Sequence, residues 1–154
     1  MPELHLSALI AVMAITSLAA SPARADRCDD LAAQLVRNIT DLKVGRTAAN
    51  AIMLSHPATR SMRLGCASRN VTNEVFATAD GKKPPAAFYD VVAGAAALVF
   101  TIPKKDTLNG AIRCVKRIGL LRGHDIKTRY RRLDIHCART KTGATTLAIS
   151  RERE

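Results

Sequence analysis

The sequence predicts an α+β fold, a small antiparallel sheet of about four or five strands with helices packed on one face, held by two disulfides. Three observations carry this reading. Apolar residues recur at three- and four-residue steps in separate segments, which marks amphipathic helices. In other segments they alternate with polar residues, which marks half-buried strands. The four cysteines, Cys28, Cys66, Cys114 and Cys137, all follow an exported-type leader, and an even count in that setting reads as disulfides.

That leader is residues 1–25. Residues 6–20, "LSALIAVMAITSLAA", are an apolar run of signal-peptide length, short for a membrane span, and "ARA" at 23–25 offers the small residues that a signal peptidase accepts. The n-region "MPELH" departs from the pattern in having no Lys or Arg. Cleavage is expected after Ala25, leaving 26–154 as a single domain, periplasmic or extracellular and bacterial in style.

Four cysteines allow three connectivities, and Cys28–Cys66 with Cys114–Cys137 is preferred because each bond then ties a helix to a strand that follows it. No two cysteines have a CxxC-like spacing, so no metal is expected, and no cofactor motif is present.

The elements follow in order. Cys28, Leu31, Leu35, Ile39 and Leu42 share one helix face, with Asp29 and Asp30 in the first turn and Gly45 as the stop. Alternation around Ile52 and Leu54, then Met62, Leu64 and Cys66, gives two strands separated by a turn at Pro57. "NEVFAT" (73–78) is a third strand and "ADGKKPP" a loop. Segment 84–103 is the most apolar, with Asp90 as its only charge. Its Ala/Gly-rich centre and flanking prolines suit a buried helix better than a membrane span, and Asp90 is expected to be buried beside Tyr89. A further helix covers 106–123, with Leu108, Ala111, Ile112, Val115 and Ile118 inward, Arg113, Lys116 and Arg117 outward, a cap at Asp106 or Thr107 and an end at Gly123. The remainder is a hairpin turning near Thr142-Gly143. A cysteine-bearing helix followed by two strands thus occurs twice, which suggests two α-β-β units joined by the apolar helix.

The stretch with most bearing on function is "KTRYRRLDIHCARTK", 127–141. As one strand, 125–139 places Ile126, Thr128 and Tyr130 on one face and Leu133, Ile135 and Cys137 on the opposite parity, so an extra residue, a β-bulge, is expected near Arg131-Arg132. The other face then holds a row of cations. Its first reading is a solvated strand face. Its second is a polyanion contact formed by Lys127, Arg129, Arg131, Arg132, His136, Arg139 and Lys141, in a chain whose formal charge is +11. The expected partner is an anionic polymer or an acidic protein, without sequence-specific reading of nucleic acid, because the only aromatic in this stretch, Tyr130, points to the core.

Enzymatic chemistry has little to stand on. There is no GxSxG, no Gly-rich phosphate loop and no HExxH. A ribonuclease-like hydrolase would need His136 and a second histidine, His56 or His124, to converge. The leading expectation is therefore an exported, non-enzymatic binding or accessory protein of the cell envelope. The hydrolase is the alternative, and a protein docking through the apolar face of 84–103 is a third possibility.

Overall fold

A computed structural model describes residues 25–69, 71–119 and 123–151. The expected leader falls outside the described residues apart from Ala25, which opens the first helix. The order is α1 (Ala25–Asn38), β1 (Lys43–Ala48), β2 (Ala51–Ser55), β3 (Ser61–Gly65), β4 (Glu74–Ala79), α2 (Ala86–Phe100), α3 (Lys104–Lys116), β5 (Asp125–Tyr130), β6 (Leu133–Arg139) and β7 (Thr145–Arg151). The strands form one antiparallel sheet of order β1-β2-β3-β4-β7-β6-β5.

The class is α+β with both preferred disulfides, but the sheet has seven strands rather than four or five. Two physical causes account for the difference. Every residue of β1 is exposed, so this edge strand carries no apolar alternation to betray it. And 125–139 is two strands, because Arg131 and Arg132 adopt φ of 52° and 65° and reverse the chain between the paired residues Tyr130 and Leu133. The parity offset in the sequence is therefore a two-residue hairpin turn rather than a bulge.

The sheet has one covered face. Ile52, Leu54, Met62, Leu64, Val75, Ala77, Leu133, Ile135, Leu147 and Ile149 are all buried and all point toward the helices. Two meanders, β1–β4 and β5–β7, run inward from opposite edges and meet at the β4–β7 pair. Each is preceded by a cysteine-bearing helix, α1 or α3. Cys28 of α1 bonds Cys66 just after β3, and Cys114 of α3 bonds Cys137 in β6, at Cα separations of 5.6 and 6.1 Å. The two halves are not the expected α-β-β pair: α1 is followed by four strands and α3 by three, the first bond ending just after β3 and the second within β6. By loop-closure entropy, loops of these lengths stabilise the fold by about 3–4 kcal/mol per bond.

Helix details depart from expectation in instructive ways. α1 ends at Asn38, whose side-chain amide donates to the Gln34 carbonyl (2.7 Å), and Asp41 supplies the left-handed residue, so Gly45 lies inside β1. α2 buries Phe88, Val91, Val92, Ala93, Ala95, Ala96 and Phe100, as a helix enclosed on most sides should. Asp90 is nevertheless exposed and pairs with Lys104 at 2.7 Å; it lies on the outward side of the helix. Burial raises the Tyr89 phenol pKa above its ordinary value.

α3 begins two residues before Asp106, with Pro103 at its cap, and ends well before Gly123. Its inward face is Thr107, Gly110, Ala111, Cys114 and Val115, rotated from the Leu108–Ile112 stripe, and both of those residues are half-buried. Thr107 is buried rather than capping, its hydroxyl lying 2.8 Å from the Ala93 carbonyl of α2.

Gly110 sets how close α3 comes to the sheet. A Cβ there would lie 2.5 Å from Ile135 Cδ1 and 3.1 Å from Tyr130 Cδ1, and Ile135 is almost wholly buried with no room to withdraw. Gly110→Ala should therefore lower stability by about 1–3 kcal/mol through overpacking, although alanine is the better helix former. Gly94→Ala in α2, where the nearest atom is Lys104 Cε at 3.8 Å, should raise it by up to about 1 kcal/mol. Urea unfolding midpoints of the two oxidised variants test this pair; equal shifts of the same sign would refute the close-approach account.

Candidate polyanion-binding edge

Strand β5 is one free edge of the sheet. Its side chains divide between the two faces. Ile126, Thr128 and Tyr130 turn toward the helices, while Lys127 and Arg129 turn to the uncovered face. About 6.7 Å separates like-facing residues along a strand.

α3 brings a second row of cations to the same edge. The Arg113 guanidinium lies over the Tyr130 ring, 5.7 Å from its centroid, and Arg117 Nη1 lies 3.4 Å from the Thr128 hydroxyl, within range to donate to it. Four helical residues rise about 6 Å, close to the two-residue step of the strand, so the two rows keep register along the edge. Arg113 and Arg117 thus flank β5 from the helix side, and Lys127 and Arg129 from the open side. Arg131 and Arg132 extend the row at the hairpin tip, both exposed. Acidic residues share this region. Asp134 pairs with Arg129 at 3.0 Å, and Asp125 accepts from or pairs with the His136 ring at 2.8 Å. Among the described residues Lys127, Arg131 and Arg132 have no salt-bridge partner.

The seven basic residues singled out in the sequence do not form one patch. Lys127, Arg129, Arg131 and Arg132 gather at the β5 edge, with His136 one strand inward. Arg139 and Lys141 lie at and beyond the other end of β6, Arg139 about 20 Å from the hairpin tip and about 10 Å from His136 and Lys127 at the usual strand rise. Arg139 also turns to the helix side, where its guanidinium donates to the Lys82 carbonyl at 3.2 Å. Arg113 and Arg117 are the residues that reading the strand alone missed. Their spacing on the outward face of α3 was visible in the sequence, but their proximity to β5 depends on the tertiary packing of α3.

The histidines are dispersed. His56 Nδ1 accepts from the Ala58 N–H (3.0 Å) and its Nε2 lies 3.1 Å from the Thr40 carbonyl, so both ring nitrogens serve the backbone. It follows β2, four strands from β6, or about 19 Å at ordinary strand spacing. His124 precedes β5, its carbonyl accepting from the Arg139 N–H (2.8 Å). A site combining His136 with His56 is not formed. Among the described residues no group of three or more His, Cys, Asp or Glu could hold a metal ion, and no helix is long and apolar enough to cross a membrane. Comparisons with family models, with curated proteins and with solved structures return no match for this chain.

The turn at Arg131-Arg132 carries a measurable cost. Positive φ at both central residues is the geometry that Asn-Gly fills most readily, and a left-handed conformation costs an ordinary residue about 1–2 kcal/mol. Replacing the pair by Asn-Gly (Arg131→Asn, Arg132→Gly) should raise stability by about 1–2 kcal/mol in urea unfolding while weakening binding of anionic polymers. A variant that is stabilised yet binds polymers as tightly as the parent would remove the hairpin tip from the site.

Proposed function

We propose that this chain is an exported, non-enzymatic binding protein that holds a linear anionic polymer along the β5 edge. The observation that carries the reading is the pair of cation rows, Arg113 and Arg117 on one side of β5 and Lys127 and Arg129 on the other, with matching repeats of about 6–7 Å. A repeat of that length is comparable with the charge spacing of an extended polyanion, so successive ligand charges meet successive side chains. A single small anion would use only one step of such a ladder. Export is supported by the two disulfides, which suit an oxidising, extracytoplasmic setting, and by the leader-like sequence at 1–25.

Docking through 84–103 has less support, because α2 spends most of its apolar surface in the core. The hydrolase alternative would need His136 and His124 to act together. They precede and occupy neighbouring strands but belong to opposite side-chain parities, since His124 shares the parity of Ile126 and His136 that of Lys127.

The reading is tested by binding of the oxidised chain to single-stranded nucleic acid, a sulfated polysaccharide and anionic vesicles across a salt series. Log affinity for a single-stranded polymer should fall with log salt, and the slope should shrink by about 0.7 for each phosphate contact removed. Arg113→Ser, Arg117→Ser, Lys127→Ser and Arg129→Ser combined should remove most of the binding. Arg139→Ser with Lys141→Ser, at the far end of β6, should leave it near the parent's. If the parent binds no polymer, or the two sets of variants weaken binding equally, the edge is not the site.

A further inference from the structure

The face of the sheet opposite the helices carries a second feature. Among the described residues no helix or strand covers it. One cross-strand row on this face reads Met53, Arg63, Phe76, Ala148, His136, Lys127, and the next reads Ala51, Gly65, Glu74, Ser150, Asp134, Arg129. Small residues on β7, Ala148 and Ser150, lie between larger ones on either side and floor a cavity of about 490 Å³ whose walls include Glu74, Asp134, His136 and Lys127.

Phe76, the cross-strand neighbour of Ala148, stands beside this cavity without lining it. The Arg63 guanidinium lies 4.0 Å from the centroid of the Phe76 ring, and its Nη2 is 3.4 Å from Glu74 Oε1, so its plane is held between ring and carboxylate. Arg63 keeps 42% of its side chain exposed, and its guanidinium covers one side of the Phe76 ring. His136 stands on the near side, its ring oriented by Asp125 at 2.8 Å. The sequence offered no such platform because the only aromatic in the basic stretch faces the core. Phe76 reaches the open face because Val75 and Ala77 take the core positions of β4.

Charge divides the two regions. Around the cavity Lys127 and Arg129 stand among Glu74, Asp134 and, beside His136, Asp125, while Arg113, Arg117, Arg131 and Arg132 add positive charge only along β5. The adjoining β5 edge has the cation excess. A hydrogen-bonding cavity with Phe76 beside its floor suits a neutral planar group, whereas the edge suits a regular anionic backbone. From β5 to β7 is two strand spacings, about 9–10 Å, comparable with the reach of a nucleotide from phosphate to base.

We infer that the anionic polymer is single-stranded nucleic acid, with its phosphates on the β5 edge and one base seated over Ala148 and Ser150 between the Arg63–Phe76 stack and His136. This rests on the reading of the β5 edge as a polyanion site. The Glu74 and Asp134 carboxylates accept from base N–H groups, and the Ser150 hydroxyl offers a donor or an acceptor. Stacking is tolerant of base identity, so the site grips bases without reading sequence.

The test uses the oxidised chain, an oligothymidylate of about twelve nucleotides, an abasic sugar-phosphate oligomer of equal length and charge, and dextran sulfate. Fluorescence anisotropy at physiological ionic strength should show the oligothymidylate binding at least about tenfold more tightly than the abasic oligomer. Phe76→Ala should abolish that preference while leaving abasic binding unchanged. Ala148→Gln, which fills the groove from an exposed strand face, provides the same test should Phe76→Ala unfold. Equal binding of the two oligomers, or a preference that survives both variants, overturns the inference and leaves the polyanion reading standing. If neither oligomer nor dextran sulfate binds, the polyanion reading fails and this inference fails with it.

Discussion

The approach of α3 to the β5–β6 hairpin is the contact on which most of the functional geometry depends. Gly110 lets the helix backbone rest where any side chain would meet Ile135 and Tyr130. One turn further on, Cys114 is close enough to β6 to bond Cys137, with both sulfurs in the core. Together these fix the rotation of α3 about its own axis as well as its height above the sheet. That rotation carries Arg113 over Tyr130 and Arg117 to Thr128. A helix set farther out, or turned by one residue, would send those guanidinium groups into solvent, and β5 would keep cations on one side only. A packing constraint in the core therefore determines the electrostatics at the edge.

The sheet's one-sidedness follows from a similar economy. The apolar residues of the strands are committed to the helix-covered face, and three helices suffice to cover it. What remains on the other face is a mixture of small, polar and charged side chains that is stable in water without a cover, as antiparallel sheets permit. Because the two meanders meet at β4 and β7, the small residues of β7 fall near the middle of that face and the larger ones to either side. The cavity is a consequence of where Ala148 and Ser150 stand in the register.

Much of the fold was legible in the sequence because burial writes a period into it. Both disulfide partners, the apolar helix, the strands around Ile52, Met62 and Val75, and the final hairpin left such a record. β1 did not, since a strand with no buried residue has no period to read. The Arg131-Arg132 turn was misread because turn chemistry is recognised by Gly, Asn or Asp, and here two arginines hold the left-handed conformation. The candidate site was half legible. Its β5 cations were plain, but Arg139 and Lys141 adjoin them only along the chain, while Arg113 and Arg117 adjoin them through packing, and Phe76 stands beside Ala148 through register. Local periodicity fixes which way a side chain points, and tertiary contacts decide what stands beside it.

The two free edges of the sheet supply the last argument about the β5 cations. Any exposed edge strand has unpaired backbone groups, and charged side chains or bulges keep it from pairing with another chain. β1 meets that need modestly, with Lys43, Arg46 and an irregularity in its register between Val44 and Thr47. If protection were the whole purpose at β5, a comparable provision would serve. Instead β5 has Lys127 and Arg129 from its own sequence, Arg113 and Arg117 from a separate helix in matching register, and two arginines at a turn where they incur backbone strain. Edge protection needs neither the alignment with α3 nor the strained turn. Both fit the proposed site for an extended anionic ligand, and the same cations discourage pairing of this edge with another chain.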